Sequence, residues 1–282
     1  MEDELIAFIK NALHEDVREG DHSALACIPE NAHGKAKLLV KDHGIIAGIE
    51  VAKKICEVFD PKLKIRTFNE DGDLVQKGDV ALEIEGSARS ILTTERLILN
   101  CMQRMSGIAT QTNQIVSLIK GTPAKLLDTR KTTPGIRLLE KWAVRIGGGV
   151  NHRFGLYDMI MIKDNHIDFA GGISKALEAV REYQVKNNLN LKVEIEVRNE
   201  KELKEALICG GFDRIMLDNF TPQEIKRFLP MIPSNYETEA SGGITISTIR
   251  DYAETGIQFI SVGALTHSVK CLDLSLKSEF SS

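Results

Sequence analysis

Short apolar runs that end in polar or charged residues recur along the second half of the chain. Six of them are predicted to be strands, over residues 126–128, 159–163, 193–197, 215–218, 238–241 and 259–262. Amphipathic stretches with helical spacing lie between several of these runs, over residues 173–187, 200–210, 222–229 and 246–255. Strand and helix in alternation predict a parallel sheet with its helices outside. Six strands favour an incomplete (β/α) barrel, and a doubly wound sheet is the alternative.

The first half has a different pattern, in which helical stretches flank short strand-like pieces. Helices are predicted over residues 3–14 and 49–59, strands over 35–40 and 63–69, and a hairpin over 74–86 that turns at residues 77–79. A long helical pattern begins at Ile91 and is predicted to break near Ser106 and Gly107. The change in pattern predicts one domain over residues 1–112 and a barrel domain over residues 113–268.

Composition and charge exclude several classes of protein. The chain has 282 residues, 43% hydrophobic and 27% charged, and a net charge of −4, so a general nucleic-acid or membrane surface is not expected. Its five cysteines have no zinc-like spacing. The N-terminal segment has the pattern of an acidic amphipathic helix, not of a signal peptide. A cytoplasmic location is predicted.

Cations are concentrated at the ends of the predicted strands. In a parallel barrel these ends share one face, which carries the active site. Arg130, Lys131 and Lys163 follow two of the strands, and His152 and Arg153 follow the triple glycine at residues 147–149. Cations crowded at the ends of buried strands indicate a ligand with several negative charges.

Two glycine segments indicate where a phosphate would bind. Residues 241–244 (SGGI) and 261–264 (SVGA) each follow a late strand and precede a helix. Glycine allows backbone N–H groups to approach phosphate oxygens closely, and barrels often bind phosphate in their last two loops. Tight turns between strand and helix also use glycine, so each segment alone is weak evidence.

Carboxylates lie at the ends of the predicted strands that come between the cations and the glycine segments in the sequence. Glu196 and Asp218 are predicted at neighbouring strand ends, where they could hold Mg²⁺ or ribose hydroxyls. Glu194 has the same alternation parity as Glu196, so one of the two is open to a purely structural interpretation.

These residues lie in motifs that closely resemble the quinolinate phosphoribosyltransferase family. The motifs are DTRKTTPGIR, GGGVNHR, IKDNH, MLDNF, EASGGI and ISVGA, in this order, with ALHEDVREGDHS and ERLILNCMQRMSGIAT before them. The resemblance implies an α/β protein with an N-terminal open α/β sandwich joined to an incomplete (β/α) barrel. It also implies that a C-terminal tail over residues 269–282 packs on the N-terminal domain.

The resemblance further implies an activity and partners. The reaction forms nicotinate mononucleotide, carbon dioxide and pyrophosphate from quinolinate and phosphoribosyl pyrophosphate, with Mg²⁺, as a step of NAD biosynthesis. Homodimers or larger assemblies are expected. Arg96 is expected to enter the partner subunit's site.

Each predicted site residue receives a role from the resemblance. The residues implied to hold the two quinolinate carboxylates are Arg96, Arg130, His152, Arg153 and Lys163. Lys131 is expected between quinolinate and the phosphoribosyl group, and Glu196 and Asp218 are expected to face the ribose and its Mg²⁺. The residues implied to bind the 5-phosphate are Ser241, Gly242, Gly243, Val262, Gly263 and Ala264, with His267 close by.

Three alternative functions remain at this point. The first is a related phosphoribosyltransferase, for example one that uses nicotinate, although the number of cations favours two carboxylates. The second is a Schiff-base aldolase with Lys163 as nucleophile, which would require a desolvated lysine. The third is a carrier module modified on Lys77, whose hairpin pattern is similar to that of biotinyl-like domains but which lacks flanking methionines.

Overall fold

The computed structural model describes residues 2–279, and the chain forms two compact units. Unit 1 consists of Met1–Asn113, Thr132–Gly148 and Ala264–Ser282, and unit 2 consists of Gln114–Lys131 and Gly149–Gly263. The predicted boundary after residue 112 lies beside the first change of unit. Two further segments that the sequence alone assigns to the barrel domain, around residues 140 and 265, group with unit 1.

Helices and strands alternate through most of the chain. The helices are α1 (Glu2–Val17), α2 (His22–Cys27), α3 (Ile49–Phe59), α4 (Ala88–Leu118), α5 (Arg137–Ile146), α6 (Asp164–Ala170), α7 (Ile173–Asn187), α8 (Glu200–Cys209), α9 (Pro222–Phe228), α10 (Ile249–Ala253) and α11 (Ala264–His267). The strands are β1 (His33–Val40), β2 (Gly44–Ile45), β3 (Lys64–Thr67), β4 (Leu74–Val75), β5 (Val80–Ser87), β6 (Lys125–Leu127), β7 (Ile160–Ile162), β8 (Val193–Val197), β9 (Arg214–Asp218), β10 (Glu237–Ser241), β11 (Phe259–Ser261) and β12 (Leu274–Glu279).

Unit 1 contains a four-stranded antiparallel sheet in the order β12-β1-β5-β3. β1 lies in its interior, with Ala36, Leu38 and Val40 buried on one face. β12 pairs with β1 over six residues, from Lys35 opposite Glu279 to Val40 opposite Leu274. The C-terminal segment therefore lies on the sheet of unit 1, and residues 280–282 of the predicted tail lie outside the described residues.

The predicted hairpin over residues 74–86 is wrong. A turn does form, because Gln76 N–H donates to Asp79 and Gly78 adopts a φ of +101°. The flanking strands pair elsewhere, β4 with β2 and β5 with β1 and β3. β4 has only two residues, whereas β5 has eight. Pairing with β1 and β3 therefore gives β5 more inter-strand hydrogen bonds than pairing with β4 could.

The predicted break near Gly107 is also wrong, because α4 continues for 31 residues. A Cβ atom at Gly107 would lie 2.3 Å from the carbonyl oxygen of Lys270 and 3.0 Å from Cα of Cys271. The neighbouring Ser106 hydroxyl donates to the carbonyl of Ala47 and accepts from its N–H. The glycine therefore allows close backbone packing within a continuous helix, and its helical cost of about 1 kcal/mol is offset by that packing.

Unit 2 contains one parallel sheet in the order β6-β11-β10-β9-β8-β7. β6 and β7 form its two edges, as expected for an incomplete barrel. All five residues of β8 are buried. Since side chains alternate along a strand, Ile195 and Val197 face one side, and Glu194 and Glu196 face the other.

Local signals at the helix ends explain several element boundaries. The Asn199 side chain accepts from the N–H of Glu202 and caps α8, and Thr221 forms a capping box with Glu224 at the start of α9. α6 begins directly after Lys163 and was not predicted from the sequence, because it has only seven residues. Among the described residues, no helix combines the length and apolar character needed to cross a membrane.

Candidate active site

The carboxyl ends of the unit 2 strands bring most of the predicted site residues to one edge of the sheet. Arg130 and Lys131 follow β6, and Lys163 follows β7. The remaining residues of unit 2 at this edge are Glu196 of β8, Asp218 of β9, Ser241, Gly242 and Gly243 at β10, and Val262 and Gly263 after β11. Because all six strands are parallel, this edge corresponds to the face on which barrel enzymes carry their active sites, and we call it the candidate catalytic edge.

Glu196 and Lys163 form an ion pair at this edge. The Lys163 Nζ lies 3.2 Å from a carboxylate oxygen of Glu196. The lysine side chain is 46% exposed and the glutamate 9%. Burial raises the pKa of Glu196, and the charge of Lys163 partly opposes that rise while the charge of Asp218 adds to it. The lysine is thus available to solvent and ligand, whereas the carboxylate is held in place.

The loops after β9 and β10 approach each other closely beside this pair, at Asp218, Asn219 and Gly242. The Asn219 side chain donates to Asp218 over 2.6 Å, and its backbone N–H donates to Ser241 O over 2.8 Å. Asn219 has a φ of +60° and Gly242 a φ of +97°. A Cβ atom at Gly242 would lie 2.2 Å from the Asn219 side-chain oxygen. Only glycine fits there, so the close approach of the two loops depends on it.

Gly243, in contrast, would accept a Cβ atom into open space. It has a φ of +61°, and no heavy atom lies within 4 Å of the position that a Cβ atom would occupy. The backbone at Gly243 is therefore open on this side, where an anion could approach its N–H group. Burial raises the pKa of the Asp218 carboxyl that faces this turn, with Lys163 opposing the rise.

Arg130 and Arg153 place two guanidinium groups near each other. Burial and the charge of Arg130 lower the pKa of Arg153, in that order. Arg153 donates to the carbonyl of Met159 over 3.1 Å. The buried Nε of Arg130 has no hydrogen-bond partner among the described residues. Two neighbouring guanidinium groups with spare donors suit a planar carboxylate, which binds such groups bidentately.

Asp128 fixes the segment that carries Arg153. This carboxylate is fully buried at the end of β6. It accepts from the side chain of Asn151 over 2.7 Å and from the backbone N–H of His152 over 2.7 Å. The loop that follows the triple glycine is therefore tied to the sheet edge by a buried charge, which makes its hydrogen bonds stronger than neutral ones.

The ring of His152 points into the interior of the unit 2 sheet. Its Nε2 lies 2.8 Å from Glu194 and 3.5 Å from Glu239, and its side chain is 6% exposed. Its Nδ1 accepts from the backbone N–H of Arg153 over 2.7 Å. Burial opposes protonation, but the two carboxylates prevail and raise the pKa of His152 to about 9. In the neutral ring the proton is on Nε2, and Nδ1 is free to accept from Arg153. In the protonated ring Nε2–H remains, but the added proton on Nδ1 would displace the hydrogen bond from Arg153.

Arg214 completes this buried cluster. Its guanidinium lies 3.0 Å from Glu239 and 2.8 Å from Glu237, and it stacks on the ring of Phe259. His152, Glu194 and Glu239 lie close enough together to suggest a metal centre. Because His152 and Arg214 already supply cations to the two carboxylates, we interpret the cluster as an ion-pair network.

Sequence reasoning missed Arg214 and Glu239. The parity that identified Glu194 and Glu196 also places Glu239 on the inner face of β10. The predicted strand over residues 238–241 contains this glutamate, but only the residues at the end of that strand are predicted to face a ligand. Arg214 precedes the apolar run of β9, and only the strand order shows that it faces Glu239.

Three predicted site residues belong to unit 1. Arg96 is exposed on α4, and Ala264 and His267 are the first and last residues of α11. Arg104 supports that short helix: its guanidinium donates to the carbonyl of Thr266 over 2.7 Å and to the buried Glu140 over 2.8 Å. These contacts join three separate segments of unit 1.

Two sequence models of one family match almost the entire chain. The N-terminal domain of quinolinate phosphoribosyl transferase matches residues 21–106. The C-terminal domain of the same family matches residues 108–277. The two matches meet within α4 and together include every residue of the candidate catalytic edge described above.

Named relatives and solved structures agree with this assignment. The chain is 47% identical to the chloroplastic nicotinate-nucleotide pyrophosphorylase [carboxylating] of Arabidopsis thaliana, over 97% of this chain and 82% of the relative. It is 44% identical to the probable nicotinate-nucleotide pyrophosphorylase [carboxylating] of Bacillus subtilis, over 93% and 89%. The solved nicotinate-nucleotide pyrophosphorylase of Francisella tularensis is 39% identical, with a TM-score of 0.91 over 99% of this chain and 97% of that one. The chain belongs to the quinolinate phosphoribosyltransferase family.

Proposed function

We propose that this chain transfers the phosphoribosyl group of phosphoribosyl pyrophosphate to quinolinate and releases carbon dioxide and pyrophosphate. The product is nicotinate mononucleotide, an intermediate of NAD biosynthesis. The observation that carries the proposal is a candidate catalytic edge with Arg130, Arg153 and Lys163 in a chain whose two domains both match this family. A dicarboxylate substrate has the charge and planarity that these cations bind.

The phosphoribosyl group occupies the opposite part of the edge. The turn at Ser241, Gly242 and Gly243 supplies backbone N–H groups for the 5-phosphate, together with Val262 and Gly263 after β11. Ala264 and His267 follow in the chain, and we assign them to the same phosphate. Lys131 is exposed next to Arg130, and we place it between the two substrates.

The chemistry consists of two bond exchanges. The bond between C1 of the ribose and the pyrophosphate oxygen breaks, and its electrons leave with pyrophosphate. The pyridine nitrogen uses its lone pair to form a bond to C1. Glu196 and Asp218 stabilise the positive charge on C1, because fixed charges act most strongly in a site that excludes water. The family resemblance supports this assignment.

Decarboxylation follows from the charge on the ring. Once the ring nitrogen is bonded to C1 of the ribose, it carries a positive charge. This charge withdraws electrons from the adjacent ring carbon. The bond between that carbon and its carboxylate then breaks and leaves its electron pair on the ring carbon. Carbon dioxide departs, and the ring carbon takes up a proton from solvent. If carbon dioxide appeared before pyrophosphate in a single turnover, this order would be wrong.

Glu196 and Asp218 fit Mg²⁺, the cofactor that the family resemblance implies. Mg²⁺ takes oxygen ligands and is usually held by one or two carboxylates with substrate phosphates. The pKa of each carboxyl is raised by burial, so each would gain from an additional cation. When bound, Mg²⁺ would neutralise charge on the pyrophosphate.

We also propose a homodimer in which Arg96 enters the partner subunit's site, and larger assemblies remain compatible with this. Arg96 is exposed, as such a role requires. Mixing Arg96→Ala chains with Arg130→Ala chains should restore activity, because one of the two hybrid sites then has both arginines. Hybrids that form but stay inactive would show that each site is built from one chain. Singly mutated homodimers serve as the inactive controls.

A cytoplasmic location is part of the proposal. All five cysteines are free, and Cys56 and Cys101 are buried with pKa values raised by burial to about 12. This pattern is typical of a reducing compartment. The plant relatives named chloroplastic or mitochondrial make targeted locations the alternative.

Product analysis tests the main proposal. Quinolinate, phosphoribosyl pyrophosphate and Mg²⁺ should yield nicotinate mononucleotide and carbon dioxide, whereas nicotinate in place of quinolinate should yield neither. Turnover of nicotinate alone would overturn the assignment of the dicarboxylate pocket. The aldolase alternative is disfavoured, because Lys163 is half exposed and paired with Glu196, not desolvated.

A further inference from the structure

The residue before Arg153 is held from inside the barrel at both its backbone and its ring. The Asp128 carboxylate accepts from the His152 N–H, and the Glu194 carboxylate lies 2.8 Å from the His152 Nε2. Both carboxylates are fully buried. The two anions thus fix the position and the rotation of one side chain.

The direction of the ring limits what it can contact. Its Nε2 lies 2.8 Å from a carboxylate oxygen of Glu194 and 3.5 Å from one of Glu239, and its Nδ1 accepts from the backbone N–H of Arg153. Both ring nitrogens are therefore engaged within unit 2. The next residue, Arg153, is the one expected to bind the ligand. Its guanidinium lies near that of Arg130, whose charge lowers its pKa.

Charged groups on three neighbouring strands surround Glu194 and the ring. Glu239 of β10 lies beside the ring, and Arg214 of β9 lies 3.0 Å from Glu239. Arg214 also pairs with Glu237. Because Arg214 is already shared between two carboxylates on β10, the ring of His152 is the closest basic group to Glu194. Loss of this carboxylate would remove the principal partner of the ring.

We propose that Glu194 and Asp128 are positioning residues for the quinolinate pocket, which act through His152 to hold Arg153 beside Arg130. His152 then supports the pocket from behind and does not donate Nε2–H to the substrate. This inference rests on the proposed function, and it assigns a role to two buried carboxylates that do not touch the substrate. It also changes the role that the family resemblance implied for His152.

Substitution of Glu194 tests the proposal through the two Michaelis constants. Glu194→Leu should raise KM for quinolinate roughly tenfold or more and change KM for phosphoribosyl pyrophosphate by less than about twofold. Glu194→Gln keeps an acceptor for Nε2–H and has nearly the same volume, so it should recover much of the loss. Ile195→Ala is the matched control, since it removes a buried side chain of the same strand on the opposite face.

The outcomes separate this inference from the proposed function. If the unaltered protein does not turn over quinolinate, the proposed function fails. If it does, and Glu194→Leu folds but leaves both KM values unchanged, the positioning role is wrong. Equal rises of both KM values in Glu194→Leu and Ile195→Ala would show a structural role only.

Labelled histidine in the unaltered protein provides a measurement that does not depend on the stability of a variant. The Nε2 nitrogen signal of His152 should keep its position and its slowly exchanging proton when quinolinate is added, because Glu194 remains its partner. A large shift of that signal on titration with quinolinate would mean direct contact with the substrate, and the inference would be abandoned.

Discussion

At the scale of single residues, the site depends on a few conformations and buried charges that the sequence shows only in part. Charged residues at the ends of apolar runs, such as Lys163 and Asp218, were predictable because strand ends of a parallel sheet converge. The unusual φ of Asn219 and the partners of His152 were not predictable. They depend on which strands are neighbours, and a single sequence does not contain that information.

The turn at Gly242 leads to a prediction about stability and phosphate binding. Gly242→Ala would bring a methyl group against the Asn219 side chain and backbone, in addition to about 1–3 kcal/mol of strain from its positive φ. We expect a lower free energy of unfolding and a higher KM for phosphoribosyl pyrophosphate. Denaturant unfolding and steady-state kinetics measure these quantities.

Gly243→Ala is the matched control for this substitution. It shares the positive φ, but its methyl group would enter open space. We expect it to cost less stability than Gly242→Ala. Equal losses for the two variants would mean that backbone strain alone, and not contact with Asn219, makes Gly242 necessary.

The buried ring of His152 predicts a specific dependence of stability on pH. Its folded-state pKa of about 9 lies above the ordinary value of 6.5. A raised pKa means that the folded protein binds the proton more tightly, so this contribution is complete below pH 6.5 and is lost as the pH rises through 9.

We therefore expect the free energy of unfolding to fall across that interval. The ring signals of His152 in a magnetic-resonance titration should change in the same interval, which assigns the effect to this residue. A ring that is already unprotonated at neutral pH would contradict the prediction. It would show that the hydrogen bond from Arg153 outweighs the attraction of the carboxylates.

At the scale of elements, the strands of unit 2 were predicted well and the connections of unit 1 were not. Buried parallel strands form continuous apolar runs, and β8 matches its predicted limits. The hairpin and the break in α4 were predicted from turn residues and from a glycine. Both predictions failed because contacts distant in sequence, with β2 for β4 and with Cys271 for Gly107, decided the outcome.

The capping box of α9 gives a prediction at this scale. The Thr221 hydroxyl accepts from the N–H of Glu224, whose carboxylate accepts from the N–H of Thr221. Thr221→Ala should lower the free energy of unfolding by about 1 kcal/mol, and Thr221→Ser should retain most of the stability. Urea unfolding of the three proteins makes the comparison. An alanine variant as stable as the serine variant would show that the cap contributes nothing.

At the scale of the whole molecule, the two units share the chain in interleaved segments. The family matches divide the sequence once, near residue 107, whereas unit 1 includes segments from the start, the middle and the end of the chain. Sequence patterns identify elements in order along the chain. They do not show that β12, the last strand, pairs with β1, the first.

The position of β12 predicts the effect of a truncation. A chain that ends at Cys271 loses the strand that covers one edge of β1, and an uncovered edge strand favours association with other chains. We expect lower stability and aggregation, measured by thermal unfolding and light scattering. A chain that ends at Glu279 keeps all of β12 and is the control. A stable, monodisperse short chain would show that β12 is dispensable.

The same pairing has a consequence for synthesis on the ribosome. β1, β3 and β5 are translated before unit 2, but β12, the fourth strand of their sheet, is translated after it. Unit 2 lies almost entirely between these two events and can form its own sheet from consecutive strand and helix pairs. We expect the sheet of unit 1 to be started before unit 2 is made and completed after it, so that a nascent chain stalled before residue 274 exposes a sheet edge that chaperones would recognise.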